Sequence, residues 1–144
     1  MAMSTADRYD IQKAVPTEID QPIATGALIY KGICVCHNDN GFIQPADDQP
    51  NYHFAGISGA QRDNAAGDNG DLDVPVIPLL RLNYLELDAV NPNDRWRGDL
   101  CYFTDDHTVA LGATTVHDVL CGRVIEVTQT GANGRVVVDI IQRR

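Results

Sequence analysis

The chain has 144 residues, and its 20 acidic against 11 basic side chains give a formal net charge of −9. One domain of this length buries enough apolar surface to fold without metals or disulfides. The acidic charge argues against binding nucleic acid through its phosphates, and no apolar run is long enough to span a bilayer. We therefore expect neither a direct nucleic-acid partner nor a membrane partner.

The N-terminal stretch, residues 1–25, predicts an extended arm. It holds mixed charges, Pro16 and Pro22, and no sustained hydrophobic period. It also lacks an apolar segment after a basic end, so we expect no secretory signal and a protein that stays in the compartment where it is made. The remainder, residues 26–144, is predicted to be a single β-rich domain.

Short β-forming segments follow the arm. Residues 27–36 are rich in apolar and β-branched side chains with an interruption at Gly32, and the polar cluster at 37–41 predicts a turn. Residues 41–44 and 52–58 predict two further short strands.

Residues 59–73 are rich in glycine and aspartate and contain few apolar side chains. They predict a long surface loop, which we expect to be mobile and dispensable for folding. A solvated loop is the favoured interpretation, because the aspartates lack the spacing and closing glutamate of a calcium-binding loop. A calcium site is the alternative, and its oxygens would come from Asp63, Asp68, Asp71 and Asp73.

The segment 74–90 carries two alternating patterns whose phases differ. The apolar positions of the two runs are Leu80, Leu82 and Tyr84, and then Leu85 and Leu87. Such a change of phase predicts a strand with a bulge or bend. A short helix is the alternative interpretation, with an apolar face of Leu79, Leu82, Leu85 and Ala89.

The second half of the chain predicts paired strands. They are expected at residues 100–103, 108–111, 121–128 and 134–141. Residues 130–134 predict a hairpin connection, with Asn133 and Gly134 as its turn. Strands at spacings of about ten residues predict an all-β fold, either a small β-sandwich or a barrel-like domain.

The four cysteines are predicted to be buried free thiols, because each lies among apolar or β-branched residues. They are Cys34, Cys36, Cys101 and Cys121. Zinc is the weaker alternative, since a C-x-C pair inside a strand differs from the knuckle turns that zinc sites use.

No sequence pattern indicates catalysis. The string Gly56–Ile57–Ser58–Gly59 lacks the spacing of a nucleophile elbow, and the glycines form no phosphate-binding loop. His107 lies in a predicted hairpin turn, where it needs no special role. We therefore expect no enzyme activity, no catalytic residue, no metal and no cofactor.

The order of the turn and strand motifs resembles the capsid decoration (cement) proteins of tailed bacteriophages. The resemblance runs from about residue 15 to residue 140. Its motifs are KGICV at 31–35, GFIQPA at 41–46, FAGIS at 54–58, GDLCYFTDDHTV at 98–109 and GRVIEV at 122–127. This chain departs from the family in its longer, more acidic 59–73 loop and in the leucine-rich segment 74–90.

The resemblance implies a small β domain that forms a homotrimer and binds the major capsid protein on the outer surface of the virion. There it would stabilise the capsid lattice against the internal pressure of the DNA. Two alternatives remain: another virion component, such as a tail or head–tail connector protein, and a cytoplasmic β-barrel that binds a ligand or acts as an enzyme.

The arm supplies the candidate capsid contacts, which are Ile11, Val15, Ile19 and Ile23. These apolar residues are too widely spaced to form a core alone. They suit pairing along an exposed strand of the capsid, in which the backbone gives affinity and the side chains give register. The alternatives are an arm that crosses a neighbouring subunit and an arm that stays disordered.

Overall fold

The computed structural model describes residues 17–140, and the regular secondary structure in them is almost entirely β-strand. The predicted all-β fold class is thus confirmed. No helix in this part of the chain is long and apolar enough to cross a membrane. The strands are β1 (Ile19–Pro22), β2 (Leu28–Ile29), β3 (Cys34–His37), β4 (Ile43–Pro45), β5 (His53–Ser58), β6 (Arg62–Asp63), β7 (Asp73–Pro78), β8 (Tyr84–Ala89), β9 (Leu100–Phe103), β10 (Thr108–Ala110), β11 (Leu120–Gln129) and β12 (Arg135–Asp139). Two 3-10 turns lie at Leu79–Arg81 and Asp94–Trp96.

The first half of the chain forms a five-stranded antiparallel sheet in the order β1-β7-β5-β3-β4. The sheet curls, because Ile23, just after β1, forms a bridge with Ile43 of β4. The side chains on one face make a small core, which we call the sheet core. It includes Ile23, Ile29, Val35, Ile43, Val74 and Val76.

The second half forms a closed five-stranded barrel in the order β10-β8-β12-β11-β9. Its strands pair antiparallel except for β8 and β10, whose parallel pairing closes the barrel. The barrel core is the larger of the two and includes Phe103, Val109, Val124, Val136 and Val138.

The change of phase within residues 74–90 marks the passage from the sheet to the barrel. Strand β7 ends at Pro78, one 3-10 turn follows, and β8 begins at Tyr84. The pairing of β8 with β12 runs without a register shift, so the bulge, one of the two predicted features, is wrong. In place of the other, a bend in a continuous strand, the chain breaks between two strands that belong to different sheets. The alternative of a helix over this segment is wrong too, since only residues 79–81 are helical.

Strand β3 joins the two cores. Cys34 and Cys36 belong to the barrel core, whereas Val35 between them belongs to the sheet core. Successive side chains of a strand point to opposite faces, so one buried strand serves both cores. Phe54 of the neighbouring β5 extends the contact, with its ring centroid 4.8 Å from that of Phe103 in an edge-to-face arrangement.

The domain begins earlier than residue 26. Strand β1 pairs along its whole length with β7, and Ile23 is completely buried in the sheet core. The extended arm predicted for residues 1–25 is therefore corrected at its C-terminal end, because residues 19–23 are part of the sheet. The rest of the predicted arm, up to residue 16, lies outside the described residues.

The predicted loop at 59–73 is tied to the sheet. Its residues Arg62 and Asp63 form β6, which pairs with β2. Asn64, only 2% exposed, donates from Nδ2 to the carbonyls of Ala24 (2.9 Å) and Asp68 (3.0 Å). These contacts argue against the prediction of a mobile loop that is dispensable for folding, since a buried amide must keep its hydrogen bonds.

The connection between β11 and β12 also differs from its prediction. The left-handed backbone lies at Gly131, with φ of 83°, and not at Asn133 or Gly134. The amide of Gly131 donates to the carbonyl of Pro92 (3.1 Å), so this connection is shaped by a contact with another turn. The predicted pairing of the two strands is confirmed.

Replacing Asn64 with alanine should lower the free energy of unfolding by about 1–3 kcal/mol, because the buried carbonyl of Ala24 and the partly buried carbonyl of Asp68 lose their donor. Urea unfolding measures the change. The control is Asn40→Ala at an exposed turn position, expected within about 0.5 kcal/mol of the unaltered protein. Equal stability of the Asn64 and Asn40 variants would show that the loop is not anchored as described.

Candidate functional site

The candidate capsid contacts are placed unequally by the fold. Ile11 and Val15 lie outside the described residues. Ile19 lies in β1 and is half-buried, whereas Ile23 is completely buried in the sheet core. Ile23 is therefore unavailable to a partner, and Ile19 is the described candidate that reaches the surface.

Strand β1 lies at the edge of the five-stranded sheet. Within residues 17–140 it pairs as a strand with β7 alone. Away from β7, Oε1 of its Gln21 lies 3.4 Å from Nε2 of His37, and Ile23, just after the strand, bridges to Ile43. The exposed Glu18 and Asp20 flank Ile19. An edge strand with unpaired backbone groups is able to accept a further strand, and flanking charges are the usual protection against unspecific pairing.

Three apolar side chains lie on the outer face of the neighbouring strands β8, β11 and β12, and we call them the barrel patch: Tyr84, Ile125 and Val137. Tyr84 is 62% exposed and Ile125 43% exposed. Val137 pairs with Glu86, two residues beyond Tyr84, and it faces the bulge of β11 that contains Ile125. Charged residues surround the patch, as is typical of a protein–protein contact surface.

The four cysteines are buried and free, as predicted. Burial, followed by the charges of Asp106 and Asp105, raises the pKa of Cys34 to about 12. Burial likewise raises the pKa of Cys36 and of Cys121. Thiols that hold their protons so firmly are poor nucleophiles and poor metal ligands at neutral pH.

Ser58, the serine of the glycine-rich string, has a structural position. It is buried, its Oγ donates to the carbonyl of Tyr30, and it accepts from the amide of Ile33 (3.2 Å). Its hydroxyl therefore ties the end of β5 to the segment before β3. Within the described residues it has no histidine as a hydrogen-bond partner to activate it.

A histidine surrounded by carboxylates lies in the turn between β9 and β10. The Nδ1 of His107 is 2.7 Å from Oδ1 of Asp106 and 3.2 Å from Oδ1 of Asp105. Its Nε2 is 3.9 Å from Oδ2 of Asp88 on β8. We call His107 and these three aspartates the His107 cluster. The hydrogen bond to Asp106 and the charges of all three carboxylates raise the pKa of His107, although partial desolvation opposes them.

The His107 cluster touches both halves of the molecule. The amide of Cys34 in β3 donates to the carbonyl of Asp106 (2.9 Å), and the amide of Asp88 donates to the carbonyl of His107 (3.1 Å). Arg135 of β12 completes the arrangement, with Nη1 3.4 Å from Asp88. A cavity of about 380 Å³ opens beside these groups.

The sequence indicated only part of this cluster. The sequence places Asp105 and Asp106 directly before His107. The interpretation of His107 as a turn residue with no special role missed its contacts with three carboxylates. Asp88 joins the cluster because β8 and β10 pair in parallel, a contact between residues far apart in the chain. The 2.7 Å distance between His107 and Asp106 is that of a hydrogen bond, so we describe an ion-pair cluster and assign no metal to it.

Comparisons of the chain with protein-family models, with curated proteins and with solved structures found no match. The likeness to capsid decoration proteins thus rests on the order of the turn and strand motifs alone.

The buried thiols predict slow modification. In the native protein at pH 8, less than one mole of thiol per mole of protein should react with an aromatic disulfide reagent within minutes, because all four thiols are buried away from the reagent. All four should react in guanidinium chloride, which serves as the internal control. Rapid reaction of two or more thiols in the native protein would contradict the described burial.

Proposed function

We propose that the protein is a decoration protein of a tailed-phage capsid, which binds the outer lattice of the major capsid protein and stabilises it against the pressure of the packaged DNA. The order of motifs over residues 15–140 supports this function. So does a β architecture whose buried cysteines and serine serve the fold and offer no activated nucleophile among the described residues.

The observation that carries the proposal is the position of β1. The chain upstream of Thr17 leads directly into an edge strand of the sheet, so a capsid strand added there would continue an existing sheet. Ile11 and Val15 remain the proposed capsid contacts, and Ile19 marks the point at which the attachment segment meets the domain.

Attachment through a short segment is weak for a single copy, since ordering each residue costs about 1 kcal/mol or more. A homotrimer presents three such segments and gains by avidity. The barrel patch is the apolar surface that we propose as the contact between subunits, because burying Tyr84 and Ile125 removes exposed apolar area from water.

The attachment segment is tested by Ile11→Ser combined with Val15→Ser. Binding to expanded, DNA-free capsids should weaken by roughly tenfold or more, since loss at each segment multiplies across a trimer. Thermal stability and oligomer mass are measured on the same samples, and both should stay unchanged if the segment serves attachment alone.

The matched control is Val90→Ser, which likewise replaces an apolar side chain by serine, at an exposed position outside the segment. It should bind capsids like the unaltered protein. Full affinity of the Ile11 and Val15 double variant would show that these residues are not the attachment point.

The subunit contact is tested by Tyr84→Glu combined with Ile125→Glu. Two added charges in the barrel patch should convert trimers to monomers in sedimentation experiments, because the contact would have to bury them. Val116→Glu, at a 78% exposed loop position, is the control and should remain trimeric. A trimer that survives both charges would exclude the patch as the contact, and a monomeric unaltered protein would contradict the homotrimer itself.

A further inference from the structure

We propose that His107 is a pH-dependent clamp, which in its protonated form holds the β9–β10 turn against both the barrel and the five-stranded sheet. The clamp goes beyond the proposed function and does not depend on it. It acts within the free protein, at the place where the two halves of the molecule meet.

The clamp rests on the contacts that the turn makes in two directions. Toward the sheet, the carbonyl of Asp106 accepts the amide of Cys34 in β3, the strand that serves both cores. Toward the barrel, the carbonyl of His107 accepts the amide of Asp88, within the parallel pair that closes the barrel. A change in the turn therefore reaches both halves, and these two hydrogen bonds report on it.

The charges around the ring explain why a proton fixes the turn. Asp105 and Asp106 of the turn and Asp88 of β8 all approach His107. The imidazolium is the cation at the centre of these three carboxylates. The three carboxylates repel one another, and the attraction of the imidazolium offsets this repulsion. When His107 loses its proton, the repulsion is no longer offset.

Other neighbours do not replace the imidazolium. Glu86 of β8 adds a further negative charge beside the cluster. Arg135 of β12 divides its guanidinium between Glu86 (3.2 Å) and Asp88 (3.4 Å), and neither contact reaches Asp105 or Asp106. On β3, Cys34 stays neutral, because its burial raises its pKa to about 12.

The direction of the pH effect follows from the raised pKa of His107. A histidine with a pKa above its unfolded value stabilises the fold fully below about pH 6.5, and this stabilisation is lost as the pH rises through the folded pKa. His37 has the opposite sign, because burial, followed by the charge of His53, lowers its pKa. The stabilisation that neutral His37 gives the fold is lost as the pH falls. Only substitutions can therefore separate the pH effects of the two histidines.

The test is amide hydrogen exchange by NMR on the whole protein between pH 5.5 and 8.5, with protection factors corrected for intrinsic exchange. The amides of Cys34 and Asp88 report on the two contacts of the turn. Their protection should fall by about twofold to fivefold across this range, the effect of one partly exposed ion-pair group. The amide of Gly131, which donates to Pro92 far from the turn in sequence, should show no such fall.

Two substitutions separate charge from shape. His107→Gln, which is neutral at every pH, should give low protection throughout the range. His107→Lys, which is charged at every pH, should give high protection throughout. The matched control His117→Gln replaces another exposed histidine and should keep the pH dependence of the unaltered protein, since its described hydrogen bond comes from the backbone amide.

The proposal is overturned if the His107 variants that fold retain the pH dependence of the unaltered protein, or if the unaltered protein shows none. Either result leaves capsid binding untouched, because exchange is measured on the free protein. Loss of capsid binding in the Ile11 and Val15 variant would likewise leave the clamp untouched.

Discussion

The burial of β3 on both faces is the constraint on which the rest of the structure depends. Cys34 and Cys36 fill the barrel core while Val35 fills the sheet core, so the two halves of the chain share one strand. A polar side chain at any of these positions would be buried without a partner, at a cost of several kcal/mol. The cysteines suit this strand because a thiol is small, apolar and adaptable in packing. The same burial that lets these two cysteines fill the core keeps their thiols from reacting.

The strands of the barrel were predictable because their signals are local. Residues 100–103 and 108–111 are two apolar runs separated by a cluster of turn residues, and they form β9 and β10. The segment 74–90 carried an equally local signal, but a change of phase has several structural causes. A bulge, a helix and a crossing between sheets all produce it, and only the partners of β7 and β8 distinguish them.

The sequence could not predict the anchoring of the 59–73 loop or the His107 cluster, and the reason is a different one. Asn64 is polar and stands in a polar stretch, so its burial depends on a carbonyl of Ala24, forty residues earlier. His107 acquires Asp88 through a strand pairing that no local pattern specifies. Polar residues whose partners come from distant strands are the ones that pattern-based interpretation undervalues. The edge position of β1 belongs to the same class, since an edge is defined by the whole sheet.

The proposed division of roles follows from where these features lie. The edge strand β1 belongs to the sheet, the barrel patch lies on the outer face of β8, β11 and β12, and the His107 cluster lies at the junction of sheet and barrel. Attachment and subunit contact would thus use different surfaces of one small domain.

Electron cryomicroscopy of expanded, DNA-free capsids mixed with the protein tests the central claim most directly. We predict density at every equivalent position of the outer lattice, in a fixed ratio to the major capsid protein. Density confined to a single vertex or to the tail, or no density on the shell, would contradict a decoration function.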